Sequence, residues 1–77
     1  MNLQTPEPNN TLPKHELNGI RKGLYVRLKD ESGSFLWVMT RGRQADVFFG
    51  VVEHSDQGGP SRGTRVSFMK ANVFEVI

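Results

Sequence analysis

The chain contains no cysteine. That removes disulfides, thiolate nucleophiles and cysteine metal sites together, and it excludes a disulfide-stapled secreted scaffold. Histidine occurs only twice, too seldom for more than an incidental metal site. No run approaches the roughly 20 apolar residues that a membrane helix needs. The start, "MNLQTPEPNNTLPKHELNG", lacks the apolar segment of a signal peptide, so a cytoplasmic protein without membrane contact is expected. Charge of one sign is scarce as well. Ten Lys and Arg stand against eight Asp and Glu, a net charge of +2. From Ile20 onward nine basic residues face six acidic ones. A dedicated nucleic-acid binder carries a larger excess, gathered on one face. The charge permits anion binding without specifying it.

What is there divides into two parts. Three of the four prolines, Pro6, Pro8 and Pro13, lie in the first 19 residues with Asn2, Asn9, Asn10 and Asn18. Apolar residues there are sparse and follow no period, so the segment has little surface to bury against its ordering entropy. Residues 1–19 read as a flexible, disordered tail, either inert or a docking segment that orders on binding, with at most a helical turn near Lys14–Leu17. Residues 20–77 read as one small domain of strands. "LYVRLK" alternates cleanly, with Leu24, Val26 and Leu28 on one face and Tyr25, Arg27 and Lys29 on the other. "DESGS" is a turn in which Gly33 can take positive φ. "FLWVMT" and "VFFGVVEH" are β-favouring and apolar on both faces, with "RGRQAD" as the connection between them. Gly50 in mid-strand marks a bulge, a bend or a close backbone approach. A long Gly-rich turn follows. "TRVSFMK" and "VFEVI" close the chain, with Val66 and Phe68 pointing the same way. Five short strands without a long helix imply an all-β fold whose edges are removed by closure into a small SH3-like barrel.

"LWV" (Leu36–Val38), "GVVEH" (Gly50–His54), "GTRVSF" (Gly63–Phe68) and "NVFEV" (Asn72–Val76) fall in an order that resembles small bacterial SH3-like barrel domains of unknown function. The resemblance covers Leu24 to Ile77. It implies the barrel but brings no activity with it. A tail ahead of such a barrel is also similar to the plasmid-borne type II dihydrofolate reductases, whose pore is lined by Val-Gln-Ile-Tyr. The corresponding strand here is Val66-Ser67-Phe68-Met69, so the Gln and Tyr of that pore are replaced.

Nucleophilic catalysis needs a nucleophile, a base and an orienting group in reach of one another. His54, Ser55 and Asp56 are consecutive and alternate sides on a strand, so they form no triad. No phosphate-binding glycine motif opens a helix. A non-enzymatic protein is expected, with no cofactor and no metal. Binding is the remaining class. If Leu36 and Val38 fill the barrel, Phe35, Trp37 and Met39 face outward, and Tyr25 lies on the polar face of strand 1. Such an aromatic face would meet a peptide, a stacking nucleobase or a second subunit, and the alternative is that Trp37 is the main core plug. Arg27 and Lys29 share the face of Tyr25, and Arg41 and Arg43 follow strand 2. Were these to converge, they would hold nucleic-acid phosphates in a salt-dependent way. The candidate binding residues are therefore Tyr25, Arg27, Lys29, Trp37, Arg41 and Arg43. The first expectation is a protein-interaction or accessory module, of the kind phages and plasmids carry. The alternative is a nucleic-acid-binding barrel.

Overall fold

A computed structural model describes residues 2–77. It is mostly β: a single antiparallel sheet of five strands, β1 (Tyr25–Lys29), β2 (Phe35–Gln44), β3 (Val47–Ser55), β4 (Arg65–Phe68) and β5 (Glu75–Val76), in the order β4-β3-β2-β1-β5. A short helix α1 (Lys14–Asn18) precedes the sheet, and a 3-10 turn (Lys70–Asn72) separates β4 from β5. The expected all-β architecture is present, but closure is not. Among the described residues β4 and β5 pair with nothing beyond them, and the sheet is open. The physical reason is length. β4 has four residues and β5 two, which leaves little ladder with which to join the two edges.

The core lies on one face, and period-two alternation puts it there. Val26 and Leu28 of β1, Leu36 and Val38 of β2, Phe48 and Val52 of β3, and Val66 and Phe68 of β4 are all buried, joined by Ile20 and Val73. The Phe48 and Phe68 rings stack at 5.4 Å between centroids. Each fully buried side chain of this kind contributes about 1.5–3 kcal/mol over its exposed state. Gly50 is required by close approach: a Cβ there would collide with the Met39 carbonyl oxygen and the Val38 side chain on β2.

The turn after β1 is organised by Asp30. Its Oδ1 accepts hydrogen bonds from the Ser32 hydroxyl (2.6 Å), the Ser34 N–H (2.9 Å) and the Ser32 N–H (3.0 Å). Gly33 takes φ 94° there, as its place in the turn demands. The β2–β3 connection differs from expectation. Arg41, Gly42, Arg43 and Gln44 are strand residues, with Gly42 opposite Phe49, Arg43 opposite Phe48 and Gln44 opposite Val47. The hairpin turn is only Ala45-Asp46, with Ala45 at φ 53°. A two-residue hairpin turn needs positive φ at its first position, and Ala45 adopts it without being glycine.

The N-terminal stretch, read above as a flexible tail, lies against the sheet in this structure. Leu3 bridges Asp30. The Gln4 N–H donates to the Lys29 carbonyl (2.8 Å), and the Glu31 N–H donates to the Asn2 carbonyl (3.1 Å). Farther along, β5 uses the same edge of β1. Pro6 is buried, and Leu3, Leu12 and Leu17 pack on the core.

Candidate functional site

The side of the sheet opposite the core carries the notable surface chemistry. Pairing registers set its rows. Tyr25 stands opposite Met39, Met39 opposite Val51, and Val51 opposite Arg65. In the next row Glu75 faces Arg27, Arg27 faces Trp37, and Trp37 faces His54; Lys29 faces Phe35. Leu36 and Val38 are buried, so Phe35, Trp37 and Met39 point outward, each half-buried. Tyr25 is 36% exposed and Phe49 is 44% exposed.

Arg27 ties this face together. Its guanidinium lies 4.5 Å from the Phe35 ring centroid and 6.0 Å from that of Trp37. It also pairs with Glu75 at 3.5 Å. The Lys29 ammonium is 5.2 Å from the same Phe35 ring. Phe35 meets Phe74 edge-on at 5.7 Å. Cations over ring faces are attracted by the ring quadrupole, by about 0.5–1 kcal/mol at exposed sites. Four of the six candidates, Tyr25, Arg27, Lys29 and Trp37, thus share one face.

Arg41 and Arg43 do not converge. The β2–β3 register shifts between Thr40 and Gly42, which makes Arg41 the extra residue of a bulge. Arg41 lines a recess with Phe49, Gly50, Val51 and Arg65. Arg43 turns the other way. Its Nε donates to the Ala45 carbonyl at 2.6 Å, its guanidinium lies 5.2 Å from the Phe48 ring, and it lines a separate hollow with Asp46 and Met69. Phe49 and Arg65 were not among the residues chosen from sequence. "VFFGVV" is apolar on both faces, so alternation cannot say which phenylalanine points out; the pairing of Gly50 with Thr40 does.

The Ser55 hydroxyl donates to the Pro60 carbonyl (2.7 Å), and the Asp56 carboxylate accepts from the Phe35 N–H (3.0 Å). Both groups are engaged in holding the backbone. Among the described residues no three His, Asp or Glu side chains gather into a possible metal site. No helix of the described residues is long and apolar enough to cross a membrane. No family model, curated protein or solved structure matches the chain.

Proposed function

We propose that this protein is a non-enzymatic interaction module that takes a protein partner on the outward face of its sheet. The observation carrying this reading is that Tyr25, Phe35, Trp37, Met39, Phe49 and Val51 all stand on the side away from the core. A small domain that spends this much apolar surface outside its core presents a contact patch. Arg27 and Lys29, stacked on the rings, rim the patch with charge. The order β4-β3-β2-β1-β5, in which β5 returns to the free edge of β1 after a 3-10 turn, supports an SH3-like connectivity for the scaffold, in an opened form. Nucleic acid is the second reading, supported by the cations beside Tyr25 and Trp37. It is the weaker one, because Arg41 and Arg43 diverge and Glu53 and Glu75 are interleaved among the cations.

The test is a pair of outer-face variants, Tyr25→Glu and Trp37→Glu, each checked for an unchanged unfolding midpoint. Self-association in sedimentation, or capture of a partner from extract, should be lost in both variants. Retention in both would refute the reading. Steep weakening of an oligonucleotide complex by salt would favour the second reading instead.

A further inference from the structure

The recess at the β3–β4 end of this face has a composition of its own. Its floor is Phe49, Gly50 and Val51, and its rim is Arg41 on one side and Arg65 on the other. It measures about 320 Å³. Three placements build it. Arg41, the extra residue of the bulge, lines the recess together with β3 residues. The Val51–Arg65 pairing brings the second arginine alongside. The Phe49 ring lies across the hairpin over Gly42, where a Cβ would fall 2.7 Å from the ring's Cζ. Glycine at position 42 therefore leaves room for the tip of the ring against β2, with 44% of the residue left to solvent.

The charge of the rim is uncompensated. Among the described residues the only ion pairs are Arg27 with Glu75 and Arg62 with Glu53. Glu53, the next outward residue along β3, is thereby occupied by Arg62 at 3.4 Å. Two arginines lining a recess that also holds an exposed phenyl ring form a place for an apolar side chain with anionic neighbours. We infer that this recess is the specificity pocket of the proposed interaction face, and that its ligand is an acidic peptide segment of the partner, one bulky apolar side chain flanked by carboxylates. The inference rests on the protein-binding reading and adds the chemistry of the partner. A nucleic-acid strand fits less well. It presents a phosphate at every nucleotide and is held by a stripe of cations, whereas Arg43 faces away from this rim and bonds its own hairpin.

The probe is the synthetic peptide Asp-Glu-Phe-Glu-Asp, titrated into the isotope-labelled full chain and followed by amide shifts. Its comparators are the same peptide with alanine for phenylalanine, a twin with lysines for the acids, and oligothymidylate. The acidic peptide should shift the Phe49, Gly50, Val51 and Arg65 amides. Arg41→Glu and Arg65→Glu, both at exposed positions, should each weaken it by about tenfold or more, the effect of losing one charge-assisted contact. The alanine and lysine twins should bind more weakly still. The wild-type-like spectrum of each variant reports its fold. Absent binding, unchanged affinity in both variants, or a stronger response of the same amides to oligothymidylate would overturn the inference. Shifts confined to Tyr25 and Trp37 would also overturn it while leaving the proposed function standing. The proposed function fails separately, through the Tyr25 and Trp37 variants.

Discussion

Asp30, itself buried at the start of a solvent-facing turn, concentrates three hydrogen bonds on one carboxylate oxygen. The Ser32 hydroxyl, and then the backbone N–H groups of Ser34, Ser32 and Gly33, hold its pKa below the ordinary aspartate value of 3.8, while burial opposes them. A depressed folded-state pKa means that the charged form stabilises the fold. That stabilisation is complete above 3.8 and is lost as pH falls through the lower folded value. Urea unfolding midpoints followed downward from neutral pH should therefore drop in the acid range, and drop less in Asp30→Asn. An identical acid profile in that variant would show that Asp30 is not the group responsible. Neighbouring residues can also part company at this scale. Arg41 and Arg43 flank one glycine, yet one bulge sends the first to the recess and the second to the hairpin end.

Among the elements, the β2–β3 hairpin dominates. It is the longest pairing, and β2 reaches four residues beyond its expected end. Polar and basic residues from Arg41 to Gln44 have low β preference by themselves, but the apolar run from Val47 onward supplies partners that draw them into the ladder. The turn that results costs strain, because Ala45 sits at φ 53°. An L-residue with a Cβ pays roughly 1–2 kcal/mol in the left-handed region, partly offset in glycine by its larger unfolded-state entropy. Ala45→Gly should stabilise the protein by about 0.5–1 kcal/mol, read as a higher urea midpoint at unchanged slope. A lower midpoint would mean that the turn does not hold this conformation in solution.

For the whole molecule, the open edges matter most. The segment Asn2–Gln4 lines β1 and faces the end of β4 across a cleft of about 280 Å³ that includes Leu3, Phe68 and Asn72. The Asn72 side chain reaches the Gln4 carbonyl (3.4 Å), and the Lys70 ammonium reaches the Asn18 side chain (2.7 Å). These contacts tie Gln4 and Asn18 to the 3-10 turn ahead of β5. Deleting residues 2–13 should lower the unfolding midpoint, and Leu12→Ala alone should cost about 1–2 kcal/mol from lost apolar burial. Unchanged stability in both would mean that the segment contributes nothing to the folded state.

The sequence by itself determined the all-β class, the number and order of the strands, the Asp30–Ser34 turn and the part of the core in β1 and β4. Alternation at Tyr25–Lys29 and at Val66–Phe68 specifies which side chains point inward, because successive strand residues must face opposite ways, whereas Leu24 falls ahead of β1 and outside the core. Alternation is silent where both faces are apolar, as in Phe35–Met39 and Val47–Val52. There the parity of Trp37 and Phe49 follows only from register, which depends on a bulge and on the approach of β2 to Gly50. The tertiary structure alone decided that the arginines of Arg41-Gly42-Arg43 separate, that Arg65 lines the same recess as Arg41 and Phe49, and that Leu3 and Gln4 contact the edge of β1. Each depends on contacts between residues far apart in the chain, and local composition carries no trace of a partner that only folding brings near.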